Sequence, residues 1–220
     1  ISSSFTGDEV SDHISLPALV PGPISHLIWG QRDNINLENP RRDVLLFWKD
    51  PQSGLSGGEI LQTLLKTRPN TTISVWCRGD GSRKLAEQAL PGVDIVEVIS
   101  EQELCALYLD HSMLLFPSTY EGFGMPPIEG LACGCIPVLH PKVGAAELYA
   151  RNGENSIFLD SNAQDVASCI AAVLDDPETL SVMRSNAPGS ITGFDPSGFG
   201  VRIFEAAGVF SETLLEQPSN

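Results

Sequence analysis

The chain has 220 residues, of which 42% are hydrophobic, and a formal net charge of −15 at pH 7. This length suits one large domain or one domain with an appendage, and the apolar content is enough for a sizeable core. No apolar run approaches the roughly 18 residues needed to span a bilayer, and the acidic excess disfavours nucleic-acid binding. The five cysteines lack the spacing of a zinc or redox site, which favours small core residues in a reducing cytoplasm.

Residues 1–40 are rich in Ser and Pro and lack a clear apolar period, so we interpret them as a linker or the remnant of a preceding domain. From there to residue 116, short apolar runs typical of buried parallel strands alternate with helical patterns. Ser100 and Glu103 have the spacing of a capping box at the start of one helix. The predicted strands are 44–48, 72–77, 93–98 and 113–116, and the predicted helices are 59–66, 83–90 and 100–109.

The most informative segment is 116–138, FPSTYEGFGMPPIEGLACGCIPV. Two carboxylates, Glu121 and Glu129, flank a Gly-Phe-Gly turn and a pair of prolines, and proline suits the first turn of a helix. Glu121 would lie in the loop after a strand and Glu129 in the first helical turn. Both would face one crevice with the amides of Phe123, Gly124 and Met125. Because a helix N-terminus attracts anions and carboxylates accept hydrogen bonds from hydroxyls, the pattern suits a nucleotide-sugar.

Strands and helices continue to alternate after this motif. Such alternation predicts an α/β fold with a Rossmann-like parallel sheet and helices on both faces. Ligands of open parallel sheets bind beyond the carboxyl ends of the strands. The polar residues expected at that edge are Lys49, Arg78 and Glu121. The further predicted strands are 136–139 and 156–159, and the further helices follow Asn162 and cover 177–186.

The motif and the turns after it resemble the Glu-x7-Glu region of the retaining GT-B glycosyltransferases, above all the large family 4 group. Gly144-Ala145-Ala146-Glu147 lies where that family has a Gly-Gly-x-x-Glu turn, and Asn152-Gly153-Glu154-Asn155 is similar to a further turn of the family. The resemblance implies one half of a GT-B fold. A nucleotide-sugar-binding domain at 41–192 would be followed by a closing helix and tail at 193–220. A separate N-terminal Rossmann-like domain, in cis or in trans, would complete the enzyme.

The resemblance also implies roles for the motif residues. Glu121 would bind hydroxyls of the donor sugar as part of the catalytic site, and Glu129 would bind the ribose hydroxyls. The amides of Phe123, Gly124 and Met125 would contact the sugar and the diphosphate.

Lys49 is the second catalytic residue that the resemblance implies, because it would offset the charge of the departing diphosphate. A second lysine is expected shortly after it, where this chain has Ser53 and Gly54. Losing one of two cations at a developing negative charge raises a reaction barrier. Arg78 or Arg83 would compensate from the next loop, and backbone near Val98 would recognise the base.

Two functions from different classes remain open. The first is the donor half of a retaining glycosyltransferase, which moves a glycosyl group from a nucleoside-diphosphate sugar to a glycan, glycolipid or small molecule. The second is a non-catalytic nucleotide-sugar-binding or structural domain. A glycoside hydrolase needs two carboxylates that flank one bond, which fits this motif less well. No metal, cofactor or nucleic acid is expected. By analogy alone, we expect the protein in the cytoplasm, either free or at the inner face of the membrane.

Overall fold

The computed structural model describes residues 24–77, 80–97 and 100–199. It contains a six-stranded parallel sheet in the order β3-β2-β1-β4-β5-β6, which confirms the predicted α/β Rossmann-like fold. The strands are β1 (Arg42–Trp48), β2 (Ile73–Cys77), β3 (Asp94–Glu97), β4 (His111–Phe116), β5 (Ile136–Leu139) and β6 (Ile157–Phe158). The helices are α1 (His26–Trp29), α2 (Pro51–Thr67), α3 (Asp80–Ala89), α4 (Glu101–Leu109), α5 (Met125–Ala132), α6 (Ala146–Tyr149), α7 (Ala163–Leu174) and α8 (Pro177–Asn186), and a 3₁₀ helix covers Pro188–Phe194.

The strand order reverses between β1 and β4. From β1 the chain moves outward through β2 to β3 and then returns, so that β4 pairs with the other side of β1. Connections leave such a point in opposite directions and open a crevice beyond the carboxyl ends of the two strands. The segments that follow β1 and β4 carry Lys49 and Glu121, respectively, so both residues lie at this crevice.

The central strands are buried on both faces. All of β4 and the last five residues of β1 are buried, as expected for parallel strands that helices cover on both sides. Helix α2 packs against α3 and α7, while α1, α4 and α5 pack against one another. Of the helices that the structure describes, none is long and apolar enough to cross a membrane.

Helix α2 begins at Pro51 rather than at residue 59, because tertiary contacts outweigh the glycines of its first turns. Asp50 caps the helix by accepting the backbone N–H of Ser53 at 2.9 Å. A glycine inside a helix costs about 1 kcal/mol relative to alanine, which hides these turns from a propensity argument. A Cβ at Gly54, however, would overlap the indole ring of Trp48. The glycine therefore allows α2 to lie close against the end of β1.

Most other predicted elements are confirmed, with small shifts at their ends. Helix α5 begins at Met125, so Glu129 lies in its second turn and not in the first turn as predicted. The capping box of α4 forms as expected: the hydroxyl of Ser100 accepts the N–H of Glu103 at 3.2 Å, and the Glu103 carboxylate accepts the N–H of Ser100 at 2.8 Å. The short helices α1 and α6 were not predicted, since four residues are too few to show a helical period.

Residues 24–40 pack against the helices α4, α5 and α8. Ile24 and Ile28 are buried in the same apolar core as the strands. The Arg184 guanidinium donates to the carbonyls of Asn36 and Leu37 at 3.0 and 3.1 Å. The domain limits predicted from the sequence stay a prediction, and most of the closing helix and tail predicted at 193–220 lies outside the described residues.

Candidate functional site

A cavity of about 530 Å³, here called the main cavity, opens at the carboxyl edge of the sheet beside the start of α5. Six of the eight predicted site residues line it, and the other two, Arg78 and Val98, lie outside the described residues. The six are Lys49, Glu121, Phe123, Gly124, Met125 and Glu129. Aromatic rings from the ends of β1 and β2 complete the wall, namely Phe47, Trp48 and Trp76.

Two glycines with left-handed backbone shape the start of α5. Gly124 precedes the helix with φ 80° and ψ 59°, a region that residues with a Cβ rarely adopt. Gly144 has φ 58°, and a Cβ there would lie 2.5 Å from the carbonyl oxygen of Phe123. The N–H of Ala145 donates to that same oxygen at 3.0 Å. The turn at 144–145 therefore supports the turn at 123–124 from behind. The N–H groups of Gly124 and Met125 can bind an anion there, whereas Pro126 and Pro127, the next two residues of α5, have no N–H.

Lys49 and Glu121 form an ion pair at the edge of the main cavity. The Lys49 Nζ lies 2.7 Å from Oε1 of Glu121 and donates to the carbonyl of Tyr120 at 2.8 Å. The two side chains are 35% and 15% exposed, so the pair stands between a surface and a buried one. Since the Lys49 side chain keeps about a third of its surface exposed, a ligand anion in the cavity can reach its ammonium group.

Glu129 is held by a tyrosine that the sequence did not single out. The hydroxyl of Tyr108, at the end of α4, donates to Oε2 of Glu129 at 2.9 Å. Burial, and then the charge of Glu129, raise the pKa of Tyr108 well above its ordinary value, so the phenol stays protonated and donates. No local sequence pattern predicts this pair, because the two residues are 21 positions apart. The hydrogen bond holds the Glu129 carboxylate in a defined orientation at the cavity wall.

Tyr149 is a second tyrosine near the site that the sequence did not indicate. Its ring is buried against Phe194, and its hydroxyl has no hydrogen-bond partner among the described residues. The hydroxyl lies beside Gly124, 3.7 Å from the position a Cβ would take there. Burial, and then the charge of Glu121, raise the pKa of Tyr149. A neutral polar group is thus enclosed directly behind the turn that begins α5.

Among the described residues that line the main cavity, Lys49 is the only cation. Where the family pattern expects a second lysine, Gly54 packs against the Trp48 indole and leaves no room for a side chain. Arg83 bonds Glu87 on its own helix at 3.2 Å and does not line the cavity. In the described part of the chain, no three His, Cys, Asp or Glu residues lie close enough together to hold a metal ion.

A family model for glycosyl transferases group 1 matches residues 67–189, which is more than half of the chain. The chain belongs to this family. It is 30% identical over 115 residues to a D-inositol 3-phosphate glycosyltransferase from Thermobispora bispora, a match that covers 52% of this chain and 26% of that protein. The chain thus spans about a quarter of the length of this relative.

Solved structures share the fold of this group 1 glycosyltransferase domain. TarM of S. aureus, in a complex that includes UDP, superposes with a TM-score of 0.72 at 12% identity over 94% of this chain and 43% of TarM. HepE of Anabaena, in complex with UDP and glucose, gives a TM-score of 0.67 at 17% identity over 88% of this chain and 57% of HepE. The single Rossmann-like sheet corresponds to one half of such a GT-B structure.

Proposed function

We propose that the chain binds a nucleoside-diphosphate sugar and forms the donor half of a retaining glycosyltransferase. One observation carries the proposal: Glu121 and Glu129 line a single cavity on either side of the N-terminus of α5. Two carboxylates that can accept hydrogen bonds from sugar hydroxyls therefore flank a site for a phosphate anion. Membership of the glycosyl transferases group 1 family supports the same function.

The diphosphate would lie between Lys49 and the first turn of α5. Backbone N–H groups and the helix dipole favour negative charge there, and Lys49 adds the cation. Since Lys49 is paired with Glu121 at 2.7 Å before a ligand arrives, the diphosphate would take over part of that pairing. Glu121 would then turn its oxygens to hydroxyls of the sugar.

The ribose would lie at Glu129. Its carboxylate is oriented by the Tyr108 hydroxyl at 2.9 Å, so it meets the ligand without a further loss of side-chain freedom. Hydrogen bonds to a charged acceptor contribute about 1.5–3 kcal/mol. The Glu129 carboxylate would therefore contribute roughly one to two powers of ten in nucleotide affinity.

Transfer would take place at the anomeric carbon with its configuration kept. The bond from that carbon to the diphosphate oxygen breaks, and the acceptor oxygen bonds to the same face of the sugar. The acceptor's proton passes to the departing phosphate oxygen. Lys49 and the amides of Gly124 and Met125 would stabilise the charge that develops on the leaving group. An N-terminal domain, in cis or in trans, would hold the acceptor, which is a glycan, a glycolipid or a small molecule.

A non-catalytic binding domain is the second candidate, and one observation favours it. The Trp48 indole packs against Gly54 where the family pattern has a second lysine, so a cation that would assist departure of the diphosphate is missing from that helix. Such a domain would bind a nucleotide-sugar as described but would not transfer its sugar when an acceptor domain is supplied.

Calorimetric titration of the chain with UDP, GDP, ADP and dTDP, each with and without EDTA, tests the proposal. We expect saturable binding of one nucleotide that EDTA does not alter. Glu129→Gln should weaken it about tenfold or more, whereas Glu121→Gln should change the preference among the corresponding nucleotide-sugars. The exposed Glu38→Gln is the matched control and should change neither. If none of the four nucleotides binds, the donor site is not in this chain.

A further inference from the structure

The hydroxyl of Tyr149 is enclosed behind the wall of the main cavity. The residue is 1% exposed, and its ring meets the Phe194 ring edge-on, with 5.9 Å between the two centroids. Its hydroxyl oxygen is 3.7 Å from the position that a Cβ would take at Gly124, a residue that lines the cavity. The hydroxyl therefore lies against the turn that begins α5.

Packing alone does not require a hydroxyl at this position. The Tyr149 O–H has no hydrogen-bond partner among the described residues, whereas nearly all buried polar groups of native proteins are paired. Helix α6 is held by other bonds: the N–H of Ala150 donates to the Ala146 carbonyl at 2.7 Å, and the Asn155 amide donates to the Tyr149 carbonyl at 2.8 Å. The hydroxyl is thus a donor held in place and available to a second state of the protein.

Glu121 is the charged neighbour of this hydroxyl. It lines the main cavity together with Gly124, three positions along the same turn. Burial raises the pKa of Tyr149 most, and the charge of Glu121 raises it further. In the free protein, Oε1 of Glu121 lies 2.7 Å from Nζ of Lys49, and the Glu121 side chain is 15% exposed. Little water can therefore replace Lys49 when that partner is lost.

The diphosphate of the proposed donor would change the partner of Glu121. It brings negative charge to Lys49, and this charge repels a carboxylate that lies at the same ammonium group. A largely buried carboxylate then needs a hydrogen-bond donor in place of the cation. The Tyr149 O–H is such a donor, because it is protonated and has already lost its contact with water in the free protein.

We infer that Tyr149 is a positioning residue, whose hydroxyl donates to the Glu121 carboxylate once a nucleoside-diphosphate sugar binds at Lys49. The bond would hold one oxygen of Glu121 and direct the other to hydroxyls of the sugar. Tyr149 would thus act through Glu121, in the way that Tyr108 acts through Glu129. The inference rests on the proposed function and deepens it, since it names the group that orients the sugar-binding carboxylate.

A double-mutant cycle in calorimetric titrations of the full chain tests this role. The probes are UDP-glucose, GDP-mannose, ADP-glucose and dTDP-glucose, and the one that binds the unaltered chain is used for the variants. Tyr149→Phe should weaken its binding about tenfold or more, although the same change should make the free protein more resistant to urea. In a Glu121→Ala background, Tyr149→Phe should no longer change the affinity. Glu129→Ala is the matched background, because Glu129 is held by Tyr108, and there Tyr149→Phe should keep its full effect.

The outcomes separate this inference from the proposed function. Equal affinity of Tyr149→Phe and the unaltered chain, or the same loss with and without Glu121, would overturn the positioning role while donor binding stands. Weaker binding together with lower resistance to urea would also overturn it, because the hydroxyl would then be bonded in the free protein. If none of the four probes binds the unaltered chain, the proposed function fails and the inference fails with it.

Discussion

Gly144→Ala places one methyl group directly against the turn that begins α5. Gly144 has φ 58°, and the new Cβ would lie 2.5 Å from the Phe123 carbonyl oxygen and 3.2 Å from the backbone nitrogen of Gly124. Neither atom belongs to a flexible side chain. The backbone that forms the proposed phosphate site must therefore move to admit the methyl group.

Two costs add up in this variant. A residue with a Cβ in left-handed backbone costs about 1–2 kcal/mol, and inserting a methyl group into a packed region costs about 1–3 kcal/mol more. We therefore expect the free energy of unfolding to fall by about 2–5 kcal/mol. A shift of about 1 Å at a ligand site can cost a factor on the order of 100, so nucleotide affinity should fall at least tenfold.

Urea denaturation and calorimetric titration with UDP measure the two effects. Gly153→Ala is the matched control, because Gly153 has φ 77° but a Cβ there would have no neighbour within 4 Å. The free energy of unfolding of Gly153→Ala should fall only by the backbone cost of about 1–2 kcal/mol, and its UDP affinity should not change. Equal losses of stability in the two variants, or unchanged UDP binding in Gly144→Ala, would refute the idea that the turn at 144 supports the phosphate site.

Two further predictions concern buried polar side chains. Tyr149→Phe removes a buried hydroxyl without a hydrogen-bond partner among the described residues, so urea denaturation should give a free energy of unfolding about 1–3 kcal/mol higher. Tyr108→Phe, which breaks the hydrogen bond to Glu129, should instead lower the free energy of unfolding. A lower value in both variants would show that the Tyr149 hydroxyl also has a hydrogen-bond partner. Burial lowers the pKa of His111 below 6.5, so the unfolded chain binds more protons below that pH and stability falls on acidification, by at most about 1.4 kcal/mol per pH unit. His111→Gln should lose this slope and the exposed His26→Gln should keep it; a slope unchanged in His111→Gln would contradict the assignment.

Elements encoded by neighbouring residues could be predicted from the sequence. The capping box of α4 joins Ser100 to Glu103, three positions away, so its geometry depends on local backbone alone. The apolar runs of β1 and β4 signalled strands covered on both faces, and the alternation of strands and helices then limited the sheet to a parallel one. The spacing of Glu121 and Glu129 around a helix start brought both onto one cavity.

Contacts between distant parts of the chain were decided by the tertiary structure. Lys49 pairs with Glu121 across 72 positions because the strand order makes β1 and β4 neighbours. Tyr108 reaches Glu129 because α4 and α5 pack side by side. The early start of α2 depends on Gly54 meeting the Trp48 ring, a contact that opposes local helix propensity. Local patterns determined the elements and the motif. The order of the strands decided which polar groups pair, because it brings residues that are far apart in sequence close together in space.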